Sequence, residues 1–394
     1  MIITVFEDPI NSYLNPLNRL KASFELRCGA FTNLERIYNS VQRDCEIQLC
    51  VRGELKNLIQ SRYPQTTVNP KKLSGGVWLN GSALWNKELI ETIVSGKSFS
   101  KDERLIAINT YENVKLNDFN SFIEESSMVS TEINIFLMKN LWDLIFFQNK
   151  IIENDAQNFV DFNNGKIHPS VVLEGCDNIF IGNDAEVKPG VVLDATHGPI
   201  IIDRNVIIDI GALIQGPIYI GAHSIINPGA KLRRNISIGT ACKIGGEIED
   251  VIFESYSNKQ HDGFLGHSHV GSWVNLGANT NNSDLKNNYG DIKIFNGLEK
   301  YDTKKKFFGS IIGDYVRTGI STMLNTGSII DICANIFGSD FQPKYVPPFQ
   351  WGKNNKTELD KLIATIQIIK SRRDKKLNKF EKNLISQIYK KIIN

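Results

Sequence analysis

No two of the six cysteines in this 394-residue chain (Cys28, Cys45, Cys50, Cys176, Cys242 and Cys333) form a CxxC pair, so the commonest cysteine-based metal and redox signature is missing. Charge of neither sign prevails. With 45 Lys and Arg against 43 Asp and Glu, nothing global draws the chain to nucleic acid or a membrane surface, and any acidic ligand must be held locally. Long apolar runs are also lacking. The richest window, Leu141 to Ile152, is broken by Asp143, Gln148, Asn149 and Lys150 and is too short to span a bilayer. Met1 to Thr4 lead straight into a strand-like segment with no basic or long apolar leader, so a reducing cytoplasm is the expected compartment. What remains, 41% hydrophobic and 22% charged, is an ordinary globular composition with room for two or three domains.

What is present is a period. Ile202, Ile208, Ile214, Ile220, Ile226, Leu232, Ile238 and Ile244 place an aliphatic side chain at every sixth position. Six helical steps of about 100° scatter such residues around an axis, whereas on extended chain an even spacing puts them all on one face. Gly221, Pro228-Gly229, Gly239 and Gly245-Gly246 supply corners between short strands. The pattern predicts a parallel β-helix of hexapeptide repeats, whose stacked coils bury one continuous column. A first frame runs through Ile181, Val187 and Leu193, then Ala195 to Pro199 shift it. After Ile244 the expected frame is Ile252, Asn258, Phe264, Val270 and Leu276; a polar excursion occupies 278–310, and the frame resumes at Ile312, Thr318, Leu324, Ile330 and Ile336. The β-helix is therefore expected over 166–342. A tail over 343–394, with amphipathic segments at Glu358–Arg372 and Leu377–Ile393, reads as a helical cap on the open end.

Residues 1–165 read as a separate α/β unit. Strands are expected at Ile2–Phe6, Ile47–Val51, Gly76–Asn80 and Arg104–Ile108, and helices at Leu34–Val41 and Asn86–Val94, in the alternation of a mostly parallel sheet. Asn15-Pro16-Leu17, Arg27 to Ala30 and Leu79-Asn80-Gly81 resemble the start of sugar-phosphate nucleotidyltransferase domains. That likeness implies nucleotide phosphates near the first strand end, with Arg19, Lys21 and Arg27 as the basic candidates. Two positions depart from it. Phe6-Glu7-Asp8-Pro9 stand where a glycine-rich loop would cradle phosphates, and Ser82 stands where that family carries a Mg²⁺-binding aspartate. A Mg²⁺ would then rest on substrate phosphates and on Glu7 or Asp8.

The densest polar cluster is Ser257 to Gly266, followed by Val270 to Ala278. It resembles the acetyltransferase half of the bifunctional N-acetylglucosamine-1-phosphate uridyltransferase/glucosamine-1-phosphate acetyltransferase family, and the domain order and long loop extend the likeness over most of the chain. The resemblance implies a left-handed β-helix, a homotrimer with sites between subunits, and acetyl-CoA as cosubstrate for acylation of an amino-sugar phosphate or nucleotide-linked amino sugar. By position it makes His261 the catalytic base, Phe264 and Asn275 substrate contacts, and Ala278 a backbone contact to acetyl-CoA. Lys259, Lys286 and Asn288 are further substrate candidates, the last two in the 281–289 loop. An imidazole titrating near pH 6.5 suits deprotonation of an attacking amine. Asn227 replaces the family's phosphate-binding arginine, leaving Arg233, Arg234, Lys243, Lys259 and Lys286 as substitutes. Three other readings stand beside this one: a sugar-1-phosphate nucleotidyltransferase or bifunctional enzyme, a γ-carbonic-anhydrase-like metal site built from His261, His267 and His269, and a non-catalytic scaffold.

Overall fold

A computed structural model describes residues 2–10, 12–41 and 45–393; Met1 lies outside them. The N-terminal unit is built on a seven-stranded sheet. Ile2–Phe6, Glu46–Cys50, Thr67–Val68 and Gly76–Asn80 run parallel, and Arg104–Thr110 and Ser98–Lys101 extend one edge antiparallel. Helix Asn33–Ser40 starts where expected, because Thr32 and Glu35 form a reciprocal capping box. The second expected helix is shorter, Lys87–Glu91, with Asn86 accepting from Leu89 at its start. The apolar window at 141 becomes helix Asp143–Asp155.

From Lys166 the chain winds into coils of three short parallel strands, one for each face of a β-helix. On the first face Glu186–Val187, Ile207–Ile208, Ile225–Ile226 and Lys243–Ile244 stack in register, so Ile208, Ile226 and Ile244 lie above one another. Ile202, Ile220, Ile238 and Ile214, Leu232 form matching columns on the other faces. All of these are at most 1% exposed. Burying one such side chain contributes roughly 1.5–3 kcal/mol, and no single coil encloses its own. The third-face strands, such as Ile200–Ile202 and Ser310–Ile312, are buried throughout, because their outward side chains face the N-terminal unit. There Ile252, Ile311 and Ile329 pack with Leu14, Leu17 and Leu26.

The frame expected after Ile244 is wrong at three positions. Glu247–Phe253 is one unbroken strand that pairs with both Lys231–Arg233 and Ser237–Ile238, so the second and third faces meet without a spacer. Interior positions move to Ile248, Phe253, Lys259 and Leu265, and rejoin the expected frame at Val270 and Leu276. Lys259 thus stacks on Ile244 inside the coil, while Phe264 turns outward.

The later frame through Ile312 to Ile336 is buried as expected. The ladder does not stop at 342, however. Tyr345–Val346 pairs with Ile329–Ile330, and Trp351 pairs with Asn335, so the boundary expected at 343 cuts through the last coil. The polar excursion folds back as a hairpin, Lys293–Phe295 with Lys300–Asp302, and buries Ile292 and Ile294 beside Trp142 and Phe308. Helices Leu359–Ser371 and Lys379–Ile393 brace the side of the molecule instead of simply closing its end. Leu362, Ile366 and Leu384 share a cluster with Trp273, Tyr315, Cys333 and Phe349, corner residues of successive coils, and with Leu58 of the N-terminal unit. Those four corner residues all have left-handed φ of 58–62°, a conformation that bulky side chains rarely adopt. Packing against the tail offsets that cost.

Candidate active site

Titratable groups cluster in several places, two of which bear on the chemistry expected from the sequence. The first lies at the C-terminal ends of Ile2–Phe6 and Glu46–Cys50, where Glu7, Asp8, Arg52 and Asn69 line a 290 Å³ cavity. Open α/β sheets bind ligands at such strand ends. Its carboxylates are already engaged. Glu7 pairs with Arg52 and accepts from the Ser23 and Arg52 amides, and Asp8 accepts from Ile10 at 2.9 Å with Arg104 at 3.6 Å. Ser82 is fully buried. Glu7 and Asp8, each facing an arginine, do not fit the Mg²⁺ role suggested for them.

The three basic candidates for nucleotide phosphates also point elsewhere. Arg19 makes a two-pronged contact with Asp331 at 2.7 and 2.6 Å, and Lys21 reaches Asp314 at 3.0 Å. Arg27 donates from its guanidinium to the Ala30 carbonyl and from its backbone to Glu254 at 3.0 Å. All three acidic partners belong to the β-helix. Burial alone would raise the Glu254 carboxyl, but Lys21, His269 and Arg27 hold it down at about 2. These cations form a seam between the two units, each engaged by a partner there.

The second place is a corner between the second and third faces. Asp284 opens the excursion, Phe307 closes it, and a bridge between Leu285 and Phe307 zips its feet together. That brings both residues to His267. The imidazole Nδ1 lies 2.8 Å from Asp284 Oδ2, Nε2 lies 3.7 Å from Asp250 Oδ2, and Phe307 stacks on the ring at 5.2 Å. Gly266 makes this possible, since a Cβ there would collide with Asp284. Burial by itself would lower the His267 pKa; Asp284 and Asp250 outweigh it and raise it. A half-buried imidazole fixed through one nitrogen by a carboxylate, its other nitrogen turned toward a second acid, is equipped to take and return a proton.

The residues singled out from the sequence scatter around this corner. His261 is exposed, and its carbonyl accepts from Lys259 Nζ at 2.9 Å. The Lys259 ammonium also donates to the Asp262 carbonyl at 3.3 Å, inside the coil, and burial pulls its pKa down to about 8. It is therefore not an open substrate contact. The Phe264 backbone donates to Asn281 at 2.8 Å. Asn275 is exposed on the first face, where Asn258 donates to its Oδ1 at 3.4 Å, and the Ala278 carbonyl accepts from Ser321 at 2.8 Å. In the 281–289 loop, Lys286 is tied to the Asp291 carbonyl, and the exposed Asn288 caps its own turn by accepting from Gly290 at 3.1 Å. The loop does reach a histidine through Asp284, but that histidine is His267. The three histidines do not converge. His269 is buried against Glu254 at 3.2 Å, and among the described residues no group of three or more His, Cys, Asp or Glu side chains is arranged to hold a metal ion.

A sugar nucleotidyl transferase family matches residues 3–161, ending where the coils begin. No curated protein matches the chain. Among solved structures, the UDP-N-acetylglucosamine acyltransferase of Campylobacter jejuni is 16% identical, covering 57% of this chain and 83% of that one, with a TM-score of 0.20. The acetyltransferase domain of PglB from Neisseria gonorrhoeae is 15% identical over 71% and 90%, TM-score 0.17. A perosamine N-acetyltransferase variant from Caulobacter crescentus, solved with CoA and GDP-perosamine, is 15% identical over 74% and 93%, TM-score 0.14. No helix among the described residues is long and apolar enough to cross a membrane.

Proposed function

We propose that this protein is a hexapeptide-type acyltransferase that moves an acetyl group from acetyl-CoA to the amine of a sugar phosphate or nucleotide-linked amino sugar. His267 is its general base. The observation that carries this reading is the 2.8 Å contact between His267 Nδ1 and Asp284, formed where the excursion roots in the coil. With Nδ1 so held, Nε2 accepts the proton as the amine attacks the thioester carbonyl; the carbon–sulfur bond then breaks, and the proton leaves with the CoA thiol. Backbone amides of the coils are the available donors to the transient oxyanion. The nucleotidyl-transferase-like N-terminal unit supports a sugar-nucleotide setting, but its engaged cations and carboxylates speak against nucleotidyl transfer. The coils are left-handed and the assembly is a cytoplasmic homotrimer in this reading.

The test is CoA release from acetyl-CoA over a panel of amino-sugar phosphates and nucleotide-linked amino sugars. His267→Gln is expected to lose at least about a hundredfold in kcat/KM and His261→Ala less than about fivefold, since a positioned base is worth 10²–10⁴ in rate. The reverse order returns the role to His261. Release with no acceptor on the panel favours a scaffold.

A further inference from the structure

On the outside of the first face, successive coils present Lys243, Asn258, Asn275 and Arg317 in one row. Helix Leu359–Ser371 ends beside that row with Arg372 and Arg373. Together they enclose a 350 Å³ cavity, closed on one side by Tyr256 and Trp273, whose rings stack at 4.2 Å and 3°. Among the described residues no acidic side chain lines it.

Among the described residues none of its four cations makes an ion pair. Arg373 donates to the amide oxygen of Asn258 at 2.9 Å, a neutral partner. Arg317 Nε is buried with no hydrogen-bond partner, and burial lowers the Arg317 pKa with no carboxylate to oppose it. Arg19, Lys21, Arg36 and Arg52, by contrast, each meet an acid. Like charges held together without a counter-ion cost stability, so the arrangement is explained by an anion that joins it. Arginine forks match phosphate oxygens two at a time, and the Asn275 and Gln260 amides are placed for sugar hydroxyls.

We propose that this cavity binds the diphosphate of a nucleotide, with Lys243, Arg317, Arg372 and Arg373 on the phosphates and the Tyr256–Trp273 edge beside the base. The tail helix is thus part of a binding site. The assignment stands whichever histidine is the base, because binding is measured without turnover. Of the substitutes for the basic residue missing at Asn227, Lys243 is the one in this cavity. Arg233 is spent on Glu247 and Glu249, and the Asn227 amide bonds the Gln260 carbonyl at 2.8 Å.

Titration calorimetry on the full chain, with inorganic pyrophosphate, UDP, GDP, adenosine 3′,5′-bisphosphate and CoA as separate probes, tests it. At least one nucleotide is expected to bind, more weakly at higher salt. Arg317→Gln and the surface change Arg372→Gln should each weaken it by about tenfold or more, the scale of a lost charge-assisted contact. The unliganded Arg317→Gln protein should melt no lower than wild type, since it loses an uncompensated charge. Tight UDP or GDP identifies the acceptor's nucleotide, and tight adenosine bisphosphate or CoA the donor's. No saturable binding below about 5 mM, pyrophosphate binding without any nucleotide, or affinities that both substitutions leave within about twofold would overturn the assignment.

Discussion

The coils from Ile202 to Ile244 and those from Glu247 to Ile312 share one architecture and differ in what they enclose. In the first set, paired first-face residues are eighteen apart, as in Ile226 and Ile244, and the interior is aliphatic. In the second, Ile244 pairs with Lys259, fifteen on, and Asn258 with Asn275, seventeen on. A coil of three full hexads repeats its interior faithfully and leaves no polar vacancy. A shortened coil brings a lysine inside, and the coils around it bring carboxylates against histidines.

Ways to break this contrast range from large to small. Ile226→Ala, in the regular set, should cost about 2–5 kcal/mol by opening a cavity in the column, seen in thermal or denaturant unfolding, yet leave kcat/KM within about twofold below the melting temperature. Asp284→Asn, in the irregular set, should do the opposite. Folding is nearly unchanged, while activity falls about tenfold or more as the imidazole loses its orienting charge. The pH profile checks the assignment: with the raising carboxylate gone the His267 pKa drops, so the acidic limb of kcat/KM moves to lower pH. Smallest is Lys259→Met. Removing a buried charge whose pKa is pulled from about 10.4 down to about 8 stabilises by about 3 kcal/mol at pH 7, leaving the His261 and Asp262 carbonyls without their donor costs about 2, and the net gain should be about 1 kcal/mol. Its sign follows from linkage. The folded pKa of about 8 lies below an unfolded value near 10.4, so folded wild type binds fewer protons between them and gains stability as pH rises. The advantage of the methionine variant should therefore shrink between about pH 8 and 10.

The same contrast explains what could be read from residues alone. A strict period survives any ignorance of the corners, so the columns at Ile202–Ile244 were legible. Asp250-Val251-Ile252-Phe253 fits two frames equally well, and only the merged strand decides for Phe253. His261, singled out by the resemblance, and His267, the base proposed above, lie one hexad apart, a spacing at which a self-similar repeat offers two alignments. The signal that could have chosen between them was coil length: Asp284 follows His267 by 17 residues, the distance that makes two side chains neighbours in adjacent coils. The seam carries no local signal, because its partners lie more than two hundred residues apart, and the tail brace joins its helices to corners of coils whose spacing the hexad frame does not report.

That seam has a consequence for how the chain is made. Arg19 and Asp331 are 312 positions apart, so at about 5–20 residues per second a ribosome that has released the first waits roughly 15–60 s for the second. For most of that interval Leu14, Leu17 and Leu26 lack the complete surface of Ile252, Ile311 and Ile329 they are meant to lie against. Synthesis therefore passes through a stage in which the N-terminal unit is nearly complete but sticky on one side, the kind of nascent species that chaperones shelter.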